Sequence, residues 1–172
     1  YYTLVYGEAA ALHLDPIEKK PLFHFMPGTQ ALSVGTAGCN LRCKHCQNWE
    51  ISQRTPEELR AQGSLKAASP HQLVTTAMQR SIPTIAYTYN EPIVFYEYMY
   101  DTARLASANG IKSVMISSGG ISREPTLALA PYMDAIKIDL KGFSGVLYRV
   151  HLRQARAHSD DHQAIGGAGQ VD

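Results

Sequence analysis

Three cysteines, Cys39, Cys43 and Cys46, are the only ones in the chain, and all fall within the eight residues Cys39-Asn40-Leu41-Arg42-Cys43-Lys44-His45-Cys46. Three residues separate the first pair and two separate the second, so one loop can turn three thiolates toward a single point. Soft thiolates select zinc, copper(I) or iron–sulfur clusters. Structural zinc takes four closed ligands, usually with paired Cys-x-x-Cys spacing; here the fourth ligand is missing unless a histidine supplies it. A 4Fe-4S cluster on three cysteines would leave one iron open to a substrate or cofactor. Clustered in this way the cysteines do not read as a disulfide framework, and in a cytosolic setting they read as metal or redox residues.

The elements that must position this loop follow from the pattern on either side of it. Gln30 to Thr36 carries a short apolar run ending at Gly35, as expected of a strand opening into the cysteines. Gln53 to Ala68 is polar and reads as a loop with a turn of helix. Ser69-Pro70-His71-Gln72 is a helix start, with Ser69 as N-cap and Gln72 completing a capping box. Thr84 to Tyr89 reads as a second strand, running into Asn90-Glu91-Pro92 and a helix to about Ala108. Lys112 to Ser117 is a third strand, ending at Ser118-Gly119-Gly120, and Ser122 is placed to cap a short helix to about Leu129. Ala135 to Leu140 is a fourth strand. Alternation of this kind argues for parallel strands joined by crossover helices, and four units of on the order of 30 residues fit.

The polar residues of unusual type fall at strand C-terminal ends, where α/β barrels place their chemistry. The cysteines follow the first strand, Asn90-Glu91 the second, Ser118 the third, and Asp139 and Lys141 close the fourth. With a period of two, Ile136, Ile138 and Leu140 share one face of that strand, and Lys137, Asp139 and Lys141 share the other. In a parallel barrel the charged face points into the lumen, where burial is costly unless the charges pair with one another or with a ligand.

Taken with these later motifs, the cysteine stretch resembles the Cys-x3-Cys-x2-Cys loop of radical S-adenosylmethionine (SAM) enzymes. The flanks Gly35-Thr36-Ala37-Gly38 and Gln47-Asn48-Trp49, and the lead-in from Pro16 to Phe25, resemble the branch related to pyruvate formate-lyase activating enzymes, in particular the radical SAM member of the AmmeMemoRadiSam system. The resemblance implies that Cys39, Cys43 and Cys46 hold a 4Fe-4S cluster whose open iron takes SAM. Reductive cleavage would then yield a 5′-deoxyadenosyl radical that abstracts hydrogen from a substrate. It further implies SAM contacts from Asn90 and Glu91, from Asp139 and Lys141, from Ser118 where the branch commonly has Asn-Gly, and from His45 beside the adenine. A flavodoxin or ferredoxin is the implied electron donor. Two alternatives remain open: an inactive remnant that binds a cluster, and a zinc-stabilised binding protein with a Cys3His site.

The fold expectation is a partial (β/α) barrel of about four parallel strand–helix units over residues 30–142. An irregular arm with at most one short strand precedes it over 1–29, and a divergent, irregular tail follows over 143–172, read as not native to the fold. The resemblance stops near residue 143, whereas a six-unit core would need roughly 180 residues at about 30 each. Truncation or a frame scar is therefore expected, and no parallel strand is expected beside the fourth. The missing initiator Met at Tyr1 likewise points to an unnatural N-terminus. The 172 residues carry a net charge of +1 and 45% hydrophobic residues, which gives no electrostatic case for nucleic-acid binding. No apolar run is long enough for a membrane span, and a cytoplasmic location is expected.

Overall fold

A five-stranded sheet positions the cysteine loop, and its order explains how. The structure, a computed structural model, describes residues 4–142 and the backbone of 152–154. In chain order the strands are β1 (Glu8–Ala9), β2 (Ala11–Pro16), β3 (Gln30–Gly35), β4 (Leu41–Cys43), β5 (Lys66–Ala67), β6 (Thr84–Tyr87), β7 (Lys112–Ser117), β8 (Ala135–Ile138) and β9 (Leu152–Gln154). The main sheet runs β2-β3-β6-β7-β8. β3, β6, β7 and β8 are mutually parallel, and β2 lies antiparallel on the far side of β3. The four parallel strands agree with the expected partial barrel. The segment before residue 30, expected as an irregular arm with room for one short strand, carries such a strand as β2, and it joins the same sheet, paired residue for residue with β3 from Ala11 opposite Gly35 to Pro16 opposite Gln30.

Helices α1 (Trp49–Ser52), α2 (Pro56–Ala61), α3 (Pro70–Gln79), α4 (Tyr96–Ala108) and α5 (Arg123–Leu129) fill the connections. The capping box at Ser69 forms as the sequence implied, and a second one forms at Thr55 with Glu58. Ser122 occupies the N-cap of α5 but makes no side-chain cap bond. Leu32, Val34, Ile85, Tyr87 and Met115 share one sheet face and pack with Leu73, Ala77, Met99 and Ala103 of α3 and α4 into the main core.

The opposite face of the sheet is built from small side chains. Ala31, Ser33 and Gly35 of β3 lie beside Thr84 and Ala86 of β6, and Val114 and Ile116 of β7 continue the row. Ile17, Ala31, Ala86 and Val114 form a second buried cluster there, closed by Leu22 and Phe25. Small residues leave interior room, and this face is the inner one.

β8 carries its polarity inward, as its alternation implied. Lys137, Asp139 and Lys141 are half-buried, with side chains 31%, 24% and 27% exposed, whereas Ile136, Ile138 and Leu140 are 43%, 53% and 63% exposed. The cost of the inward charges is offset by pairing, since Asp139 accepts from both Lys137 and Lys141. The tail beyond residue 142 lies outside the described residues except at β9, whose backbone pairs antiparallel with β4, Cys43 opposite Leu152. A short strand therefore stands within the stretch expected to be irregular, and it pairs at the cysteine loop, away from β8.

Among the described residues β8 is an edge strand of the sheet, with apolar side chains exposed on its outer face, an arrangement that invites association. Replacing Ile136 and Leu140 with Lys should raise the soluble concentration and shift light scattering toward the monomer. An unchanged size distribution would show that this face is covered in solution.

Candidate functional site

The C-terminal ends of the parallel strands open into one cavity of about 370 Å³. Cys39, Cys43, Cys46 and His45 line one side of it. Asn90 and Glu91, Ser118, and Asp139 with Lys141 line the rest. Every site residue named from the sequence thus reaches the same space, from four successive strand ends.

The turn after β6 carries the most constrained side chains. Asn90 is buried, and its amide is spent on the cysteine loop: Nδ2 donates to the Gly38 carbonyl at 2.6 Å and to Thr36 Oγ1 at 3.1 Å, while Oδ1 accepts from the Thr36 N–H at 3.2 Å. Asn90 therefore holds the backbone leading into Cys39. Glu91 is 5% exposed. Its carboxylate accepts from Ser117 Oγ and Ser118 Oγ, both at 2.6 Å, from the Ser118 N–H at 2.8 Å, and from the Ile93 N–H at 3.4 Å. All four donors are neutral, and among the described residues no cationic side chain forms an ion pair with Glu91. Ser118, read as a ligand contact, here holds Glu91.

The three thiols are free and partly buried. Cys39 Sγ accepts from the Leu41 N–H at 3.4 Å, and Cys46 Sγ lies 3.1 Å from Ser52 Oγ. Burial pushes the Cys39 and Cys43 thiols above their ordinary pKa, and at Cys43 the nearby Lys141 ammonium pulls the other way. Among the described residues no three Cys, His, Asp or Glu side chains stand gathered as a metal-holding group. The donor set still suits a thiophilic centre, because three soft ligands from one loop share a cavity wall. For Asp139, burial alone would raise the carboxyl, but its bonds from Lys137 and Lys141 outweigh this and hold it low.

Sequence reasoning missed a cluster on the inner face. Asp15 of β2 is 4% exposed and Lys20 is 3% exposed. Lys20 Nζ donates to Asp15 Oδ2 at 2.6 Å and Lys19 Nζ to Oδ1 at 2.8 Å. The Tyr89 hydroxyl donates to Asp15 Oδ2 at 2.5 Å, and the Lys20 ammonium lies 4.7 Å from the centre of the Tyr89 ring. Tyr89 has φ +75°, left-handed backbone that costs a bulky residue about 1–2 kcal/mol. Gly35 makes room for it: a Cβ there would stand 2.8 Å from the Thr88 carbonyl oxygen and 3.0 Å from Tyr89 Cβ. The usable signal was Asp15 and Lys20 within a segment otherwise rich in apolar and aromatic residues.

Asp15 should leave a signature in acid. Burial would raise its carboxyl, but the hydrogen bonds from Lys19, Lys20 and Tyr89 prevail and hold it well below its ordinary 3.8. A depressed folded value gives stability that is complete above the unfolded value and is lost as pH falls through the folded one. Urea midpoints should therefore drop below about pH 4, and the Asp15→Asn variant, although less stable at neutral pH, should show a flatter acid limb. Equal slopes for the two proteins would remove Asp15 as the source.

Comparison with known proteins places this geometry. The family model described as the Radical SAM superfamily matches residues 33–162, a span that takes in the cysteine loop and all four strand ends. The uncharacterized protein MJ0808 of Methanocaldococcus jannaschii is 49% identical over 141 residues, which is 82% of this chain and 40% of that protein. The chain therefore spans well under half the length of this relative. With the family model covering most of the sequence and the strand ends arranged around one cysteine-lined cavity, the chain belongs to the radical SAM superfamily.

Proposed function

We propose that the chain is the core of a radical SAM enzyme of the branch related to pyruvate formate-lyase activating enzymes, similar to the AmmeMemoRadiSam member, with Cys39, Cys43 and Cys46 as ligands of a 4Fe-4S cluster. The observation that carries the reading is Glu91: a buried carboxylate on the cavity wall, oriented by four neutral donors and, among the described residues, without an ion-pair partner. A buried charge without a counter-charge is costly, and the ammonium or sulfonium of SAM would supply one. When bound, a reduced cluster would give one electron to SAM, whose cleavage would supply the radical for hydrogen abstraction.

The chain's own residues bind, orient and shield. Asn90 fixes the entry to the cysteine loop. Ser117 and Ser118 aim the Glu91 carboxylate. The paired Asp139 and Lys141 offer both signs of charge to a zwitterionic ligand, and His45 lines the cavity where an adenine could stack. A flavodoxin or ferredoxin is the proposed electron donor and the cytoplasm the proposed location. No helix among the described residues is long and apolar enough to cross a membrane. His45 lines the same cavity as the three cysteines, which supports the zinc alternative; a remnant that loads a cluster but cleaves no SAM is the other.

Anaerobic reconstitution separates these readings. Brown protein containing iron and sulfide is expected, with bound iron lost in Cys39→Ala, Cys43→Ala and Cys46→Ala alike, since the chain has no spare cysteine. Colourless protein holding one zinc would select the Cys3His site. In the loaded protein, Glu91→Ala should keep its iron yet bind SAM roughly 10- to 150-fold more weakly, the size of a lost charged hydrogen bond. Titration showing the parental affinity would take Glu91 out of the site.

A further inference from the structure

Tyr89 lines the cavity and joins the inner face to the flank of the cysteine loop without being one of the site's chemical groups. Its phenol reaches Asp15 across the inner face, and its carbonyl accepts from Asn48 Nδ2 of the cysteine loop at 2.8 Å. Its neighbour Asn90 binds Thr36 and Gly38, and Glu91 follows directly. Register shows how far the ring travels. Asp15 lies opposite Ala31, near the start of β3, whereas Tyr89 follows the end of β6. The side chain descends over Gly35, and His13 meets the ring edge-on at 5.9 Å between centres.

We propose that the Asp15–Tyr89 hydrogen bond is a positioning latch, which holds the left-handed Thr88–Glu91 turn against the cysteine loop so that Glu91 is presented to a cationic ligand. The acceptor suits the task. Asp15 is charged and fixed by two ammonium groups, so the phenol's bond is charge-assisted and directional. A turn with φ +75° has no intrinsic reason to stay there, and ordering it at the moment of binding would weaken affinity. The latch makes that ordering part of the fold. It acts through Glu91, so Asp15 and Tyr89 are positioning residues. The ligand's identity as SAM rests on the function proposed above; the latch itself does not.

The test uses Tyr89→Phe, which removes one hydroxyl and leaves the ring, and Tyr98→Phe as the control. Tyr98 also loses a buried phenol bond, to the Ala68 carbonyl on the other face of the sheet. In protein without a cluster, hydrogen exchange at the Thr36 and Asn90 amides should quicken by about tenfold in Tyr89→Phe and stay at the parental rate in Tyr98→Phe. In reconstituted protein, Tyr89→Phe should keep its iron and bind SAM about tenfold more weakly, while Tyr98→Phe lowers the melting temperature at least as much and leaves SAM affinity unchanged. Parental exchange at Thr36 and Asn90 in Tyr89→Phe would overturn the latch. So would a Tyr98→Phe variant whose SAM affinity falls equally, since the effect would then track stability alone. If the parent protein takes up neither iron nor SAM, the function reading fails and the exchange arm still decides the latch.

Discussion

A carboxylate buried at the end of a parallel strand is the constraint on which the site turns. Glu91 is largely withdrawn from water, so its oxygens are met from within, and donors come from the next strand end, Ser117 and Ser118. The donors are in reach because β6 and β7 are paired neighbours up to Tyr87 and Met115. The same bonds fix the turn between Tyr87 and Pro92, because a carboxylate with four partners has little freedom left. Hydrogen bonds to a charged acceptor are among the stronger ones available to a protein, and the surrounding turn conforms to them.

The cysteine loop is governed by the same turn from its other end. Asn90 replaces the strand pairing that β3 and β6 lose beyond Val34 and Tyr87, binding both the N–H and the hydroxyl of Thr36 and then the Gly38 carbonyl. One amide thereby carries the sheet's order on to Gly38, at the edge of Cys39. Asn90, which holds the backbone leading into the cysteine loop, and Glu91, which carries the carboxylate, are adjacent residues of a single turn, which is why a shift in one would be felt by the other.

Much of this was legible in the sequence, for identifiable reasons. The parallel strands announced themselves through apolar runs punctuated by glycine and by helix-start signals, and β7 begins and ends where its sequence pattern placed it. The inward charges of β8 followed from a period of two. Convergence of Cys39, Asn90, Glu91, Ser118 and Asp139 followed from topology, since parallel strands collect their C-terminal ends on one side. Side-chain partnerships were not legible. Asn90 and Ser118 were expected at the ligand from the resemblance; both line the cavity, and the bonds of Asn90 to Thr36 and Gly38 and of Ser118 to Glu91 had no signal in the sequence. The role of β2 was hidden because its register depends on pairing with β3, a tertiary fact. Asp15 and Tyr89 stand 74 residues apart, and no local pattern links them.

The small residues of the inner face have a consequence for hydration. Barrel interiors are ordinarily filled by branched side chains in fixed layers; here Ala31, Ser33, Gly35 and Ala86 leave that room to others. Part of it is occupied by one ring, tethered at its far end by a charge. Methyl groups packed in layers can only stay, whereas a ring on a tether can withdraw. The walls it would uncover are polar, with Asp15 and Lys20 among them, and a polar hollow of that kind fills with water where an apolar one stays dry. Beside the apolar cover of Leu22 and Phe25, the tethered ring thus bears on whether the polar part of this interior is wet or dry, and dryness is the property that protects reactive intermediates from side reactions.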